Sequence, residues 1–178
     1  MVRDLTGHSD LTDARVVAGD VTDAASIARA VAGHDAAIGA AVDLSMPPHD
    51  FFTASSRALA TGLAKADVRR LVVVGLAAIL PGESGAALMD EPGYPNEYRS
   101  FYLGHAAGLE ELRTCDLDWA YLAPAGDFDH HGARTGRYLF ADHGDPTSRI
   151  SYPDFAIALL DEIEAARHHR AVAIVREA

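Results

Sequence analysis

At 178 residues the chain is long enough to bury a sizeable core, and a net charge of −11 argues against the basic surface that a nucleic-acid partner wants. No apolar run approaches the ~20 residues that span a bilayer, and MVRDLTGHSD at the start lacks the apolar stretch of a signal peptide. A single cysteine, Cys115, excludes an internal disulfide framework and a cysteine-based zinc site, so the expectation is a cytoplasmic protein with no membrane partner.

Met1 to Asp4 reads as the tail of a strand, and Leu5 to Asp13 as a polar loop. Arg15 to Val42 carries the organising pattern of strand, acidic turn, helix, glycine stop and second strand. Val16 and Val17 supply the first strand. Thr22 or Asp23 can cap the helix, and Ile27, Ala28 and Val31 recur at helical spacing before Gly33. Ala36 to Ala41 is apolar on both faces, as a buried parallel strand should be. The whole is predicted to be a βαβ unit.

After the Met46-Pro47-Pro48 loop, Asp50 can cap a helix that carries Phe52, Ser55, Leu59 and Leu63 on one face. Leu71 to Val74 is the most strand-like run. The connection from Ala77 to Pro95 is long, and such connections are uncommon unless they cover a site or move. A helix is predicted over 96–114, with Tyr98, Tyr102, Ala106, Leu109 and Leu112 as its stripe, then a strand over 117–122 closed by Pro124. Residues 127–145 read as irregular, with a short strand over 137–140. Ser151 and Pro153 open the last helix, and 171–175 is predicted to close the sheet. Strands alternating with helices make an α/β fold with a mostly parallel sheet and helices on both faces.

The segments GDVTDAASIARAVAGHDAAIGA, RLVVVG, YPNEYRSFYLGHAAGLEELR, LDWAYLAPAG, RTGRY and RISYPDFAIALLDEIE resemble the atypical short-chain dehydrogenases. The nearest branch is the NmrA-like group of NAD(P)H-binding proteins and NADH-flavin reductases. The resemblance implies a truncated Rossmann-like domain over residues 1–178, incomplete at its N-terminus. Family members open with a strand and a GxxGxxG turn that sets backbone N–H groups against the cofactor diphosphate, and this sequence has no such turn. In the family the missing strand lies between the strands matched by Val16 and Ala36. Two outcomes are open: the flanking strands pair directly, which is the expectation because pairing satisfies their backbone groups, or a groove stays open and exposes strand edges.

Carried over residue by residue, the resemblance gives a cofactor set for NADPH or NADH. Arg3 matches the position that pairs with a 2′-phosphate, although a solvated arginine is an equal reading. Asp20 and Val21 match the turn that contacts adenine, although Asp20 could instead cap the helix. Gly39, Ala40 and Ala41 match the strand end where the cofactor approaches closely, and tight helix packing explains them as well. Gly75 and Pro124 end strands beside the expected pocket. Ile79 stands where this branch usually has serine, and Lys65, the only lysine, does not complete a Tyr-Lys pair. Tyr98, Tyr102 and His105, spaced i, i+4 and i+7, are the remaining catalytic candidates, with His105 able to give a proton near neutral pH.

Asp127, Asp129, His130 and His131 read as a solvated loop rather than a metal site. Arg134 and Arg137 in RTGRY could meet an anionic substrate, but a structural salt bridge is the plainer reading. The expected activity is hydride transfer from NAD(P)H to a flavin-like or quinone-like small molecule. The alternative is a non-catalytic or redox-sensing protein on the same scaffold. A third reading is a longer natural chain that begins upstream of Met1 and binds the cofactor. Exposed strand edges would allow a homodimer.

Overall fold

The computed structural model describes residues 1–6 and 14–178. The loop expected over 5–13 therefore lies largely outside the described residues. A five-stranded sheet forms the centre, in the order β1 (Ala36–Gly39), β2 (Arg70–Val74), β3 (Asp118–Pro124), β7 (Ala171–Glu177) and β5 (Tyr138–Ala141). The first four are parallel and β5 runs antiparallel against β7. A two-stranded parallel ribbon joins β4 (Asp127–Asp129) to β6 (Arg149–Ser151). The crossover helices are α2 (Pro48–Lys65) and α3 (Arg99–Arg113), while α1 (Ala24–Val31) precedes β1 and α4 (Tyr152–Glu164) precedes β7.

Alternation along the strands divides the core in two. Leu71, Trp119, Tyr121 and Ala123 pack with Ile27, Leu59, Leu63, Leu109 and Leu112, which come from the helices α1, α2 and α3. Val72, Ala120, Leu122, Ala173 and Val175 pack with Phe155, Ala158 and Leu159 of α4 on the opposite face. The sheet is thus covered on both sides in a Rossmann-like arrangement. Helices α2 and α3 approach closely because α3 carries small residues at the contact. A Cβ on Gly104 would lie 2.8 Å from the Pro48 carbonyl carbon, and one on Gly108 3.1 Å from the Phe52 carbonyl oxygen.

Several local expectations hold. Asp23 caps α1 by accepting from Ala25 and Ser26 N–H, Gly33 takes a φ of 77°, and the Ser151 side chain caps α4. Others need correction. Residues 16–18 do not pair with β1. The Val17 carbonyl and the Gly19 N–H are taken by Val2, leaving only a parallel bridge between Val2 and Ala18. Strand β1 is therefore an edge strand that stops at Gly39, and Ile38 is exposed rather than buried. Helix α2 starts at Pro48, before Asp50, because proline at the first helical position needs no donor. Helix α3 starts at Arg99, which leaves Tyr98 as an exposed flanking residue. Strand β7 is internal, since β5 closes that edge.

The connection over 77–95 is compact. It holds two 3₁₀ turns, Ala77–Ile79 and Leu88–Asp90, a Pro81–Ala87 bridge, and a fully buried Leu88. In the RTGRY segment the fixed part is not an arginine. The buried Asp154 carboxylate accepts from Thr135 N–H, Thr135 Oγ1 and Gly136 N–H, and no ion pair to Arg134 or Arg137 occurs among the described residues.

Candidate functional site

Strands β1 and β2 end side by side, with small residues at or just beyond each end, Gly39 to Ala41 and Gly75. A cavity of about 400 Å³ opens there, floored by Gly39 to Val42 and by Val73 to Leu76. Such a crevice beyond the carboxyl ends of parallel strands is where open α/β sheets bind ligands. Helix α2 lines it with Phe52, Ser55, Ser56 and Leu59, and α3 with Phe101, His105, Gly108, Leu109 and Leu112. Phe128 and Tyr152 close the far side as stacked rings, 4.5 Å between centroids and 16° apart. The lining is mostly apolar, and among the described residues no lysine or arginine is part of it.

Among the described residues His105 is the one imidazole on this wall, and it is buried. Its ring lies 3.9 Å from the Phe52 ring centre and 5.0 Å from that of Phe101. Nδ1 lies 3.0 Å from the Tyr121 hydroxyl, which in turn accepts from Leu76 N–H at 3.0 Å. Burial pushes the imidazole pKa down to about 4, so at neutral pH it is a neutral hydrogen-bonding group and not a store of acid protons. Burial pushes the Tyr121 phenol far up, and its proton stays in place.

The structure sorts the expected site residues into two sets. Val21, Gly39, Ala40, Ala41, Gly75 and His105 all line the cavity. Tyr98 is exposed, and Tyr102 is buried against Tyr94 with ring centres 5.9 Å apart, so neither shares the cavity wall with His105. Pro124 lies at the end of β3 away from the cavity lining. Asp20 accepts from Thr22 N–H and Thr22 Oγ1 and so closes its own turn; the helix cap is Asp23. Arg3 is ion-paired with Asp43, just beyond the β1 end, at 2.5 Å. The hydroxyl of Ser45 and then Arg3 hold the Asp43 carboxyl down to about 2.

Tyr121, Phe52, Phe128 and Tyr152 were not legible as site residues in the sequence. The one signal for Tyr121 is a phenol in an otherwise apolar inner strand, since a buried hydroxyl must find a partner. Among the described residues, no three His, Cys, Asp or Glu side chains are grouped so as to hold a metal ion. No helix among them is long and apolar enough to cross a membrane.

A family model described as NAD(P)H-binding matches residues 1–166. The chain belongs to this NAD(P)H-binding family. A proposed exported protein from Burkholderia pseudomallei has a similar structure, with a TM-score of 0.81 and 35% identity over 93% of this chain and 82% of that one. A proposed NADH-flavin reductase from Streptococcus pneumoniae matches with a TM-score of 0.81 and 29% identity, over 99% of this chain and 85% of that one. A wide-type short-chain dehydrogenase/reductase from Veillonella parvula, solved in complex with NADP, shares the fold at 18% identity and a TM-score of 0.68. Among curated proteins, YwnB of Bacillus subtilis is 39% identical over 124 residues. That match covers 64% of this chain and 57% of YwnB. The fold is thus that of NAD(P)H-binding oxidoreductases related to NADH-flavin reductases and short-chain dehydrogenases.

The described residues fit one end of such a cofactor better than the other. An apolar cavity faced by one neutral imidazole suits an uncharged or weakly charged ring. For the diphosphate, neither a glycine-rich turn nor a lining cation is present among the described residues.

Proposed function

We propose that the chain binds the nicotinamide end of NADPH or NADH in the cavity at the ends of β1 and β2, and that it supports hydride transfer to a flavin-like or quinone-like small molecule. The reduced nicotinamide supplies the hydride when bound. Gly39 to Ala41 let the cofactor backbone approach β1, Phe52 and Phe101 exclude water, and His105 offers a neutral hydrogen-bonding group to an oxygen on the ring. The observation that carries this reading is the joint placement of Gly39, Ala40, Ala41, Gly75 and His105 on one apolar wall. Tyr98 and Tyr102 have no part in it.

Hydride transfer between two rings needs positioning more than a strong protein acid, which matches a site without a Tyr-Lys pair. A lining without lysine or arginine among the described residues favours a second reading, a binding or redox-sensing protein that holds a nucleotide weakly and does not turn over. Nicotinamide fluorescence on titration with NADPH and NADH, followed by a flavin and quinone reduction assay, separates the two. Saturable binding with turnover is the expected result. Binding without turnover selects the sensor, and no binding at millimolar cofactor removes both for this chain. A cytoplasmic location belongs to the same proposal.

A further inference from the structure

Tyr121 joins two groups that no ordinary acid–base motif would bring together. Its hydroxyl accepts from Leu76 N–H at 3.0 Å, directly after the β2 end, and lies 3.0 Å from His105 Nδ1 on α3. A backbone N–H can only donate, so the phenol oxygen spends one lone pair on Leu76. The phenol proton then needs an acceptor, because a buried hydroxyl left unpaired is costly. Among the described residues Nδ1 of His105 is the acceptor within reach. A neutral imidazole that accepts at Nδ1 must carry its proton at Nε2. No second hydrogen bond to this ring occurs among the described residues, and the ring lines the cavity.

We infer that Tyr121 is a positioning residue that locks His105 in the Nε2–H tautomer, so that His105 presents a fixed donor to a carbonyl oxygen on a flat ring bound in the cavity. The chain runs from Leu76 N–H to the Tyr121 hydroxyl, then to His105 Nδ1, and ends at Nε2–H. The ligand chemistry it selects is a neutral ring oxygen rather than an anion, in keeping with the apolar lining. Two sources carry that oxygen: the carboxamide of the nicotinamide, or a carbonyl of the acceptor. The inference rests on the proposed function for its ligand, but the tautomer itself does not.

Two-bond proton–nitrogen correlation spectra of the protein with labelled histidine read the tautomer directly. Near neutral pH, the wild-type His105 is expected to show a protonated Nε2 and an unprotonated Nδ1. A protonated Nδ1 would overturn the inference without touching the cavity assignment, and this wild-type reading stands even if variants fold poorly. In Tyr121→Phe the Nδ1 acceptor loses its donor, so His105 should become a mixture of tautomers. Binding of the ring that uses the donor should then weaken about tenfold, the worth of one neutral hydrogen bond. NADH and menadione titrated separately show which source is used. A Tyr121→Phe protein with an unchanged tautomer and unchanged affinity for both refutes the inference. A wild type that binds neither probe refutes the proposed function and leaves the tautomer result to be judged alone.

Discussion

Gly75 lies against the ring of Tyr121 so tightly that a Cβ built on it would sit 2.7 Å from Cζ and closer still to Cδ1 and Cε1. The end of β2 and the middle of β3 are therefore fitted to each other at the point where Leu76 N–H meets the phenol. Replacing Gly75 with alanine must move a fully buried ring. Gly75→Ala is expected to cost about 1–3 kcal/mol, the usual penalty of overpacking, and to displace the Tyr121 hydroxyl from His105. Urea unfolding measures the first effect, and the His105 ring signals report the second. A variant with wild-type stability and an unmoved Tyr121 would show that β2 and β3 can slide apart there.

The main framework was legible in the sequence because it follows from apolar periodicity. The run 71–74, the stripe Leu109–Leu112 and the Asp23 and Ser151 caps each report local physics that tertiary contacts leave intact. Strand pairing was not legible, because it depends on which partner takes each backbone group. Val17 could have bonded to β1 or to Val2, and only the fold shows that Val2 takes it. The site was half legible for a similar reason. Gly39 to Ala41 and Gly75 stand at strand ends, which the sequence marks. Helical spacing placed Tyr98, Tyr102 and His105 on one face, yet the helix begins at Arg99 and its wall toward the cavity is Phe101, His105 and Gly108.

Burial of His105 makes stability depend on pH in a defined direction. Its pKa falls from an ordinary 6.5 to about 4 in the folded protein, and the groups on its ring are Phe52, Phe101 and Tyr121. The unfolded chain therefore takes up a proton first as pH drops, and the folded state loses stability between pH 6.5 and about 4. Over the step from pH 7.5 to pH 5 this one group should remove about 2 kcal/mol. Urea midpoints at the two pH values, compared between the wild type and His105→Gln, isolate it. An equal loss in both proteins would mean that His105 is not held neutral.

A second buried charge group ties α4 to the start of β2. Glu162 Oε1 accepts from Arg70 Nη2 at 2.8 Å, from Arg167 N–H at 2.8 Å and from His168 N–H at 2.7 Å, and its residue is 1% exposed. Burial works to raise this carboxyl, but the bonds from His168 and Arg167 hold it below its usual value. Glu162→Ala removes the buried carboxylate and leaves Arg70 with the partly exposed Asp118, 3.2 Å from Nη1, so it should cost about 3 kcal/mol, the low end for a broken buried pair. Replacing both groups, as Arg70→Met with Glu162→Leu, should cost less than Glu162→Ala alone. Equilibrium unfolding of the wild type and the two variants tests the order, and a double variant that costs as much as Glu162→Ala or more would contradict it.

The Arg3–Asp43 pair yields a test of whether Arg3 bears on the choice between NADPH and NADH. Its guanidinium is not waiting for a phosphate: it is held by Asp43, whose other oxygen takes the Ser45 hydroxyl and N–H. A 2′-phosphate reaching Arg3 must displace that carboxylate, so the native pair should weaken any preference for NADPH. Asp43→Asn keeps the Ser45 turn while removing the competing charge, and should shift the ratio of NADPH to NADH affinity toward NADPH. Arg3→Ala should shift the ratio the other way. Neither change should move stability much, because the Arg3 side of the pair stands in solvent and the amide oxygen in Asp43→Asn can still accept from Ser45. The ratio is the proper readout, since a change in general cofactor binding cancels from it. If both variants leave the ratio where the wild type has it, Arg3 does not meet the 2′-phosphate, and the Arg3–Asp43 pair simply joins the N-terminal bridge at Val2 to the loop after β1.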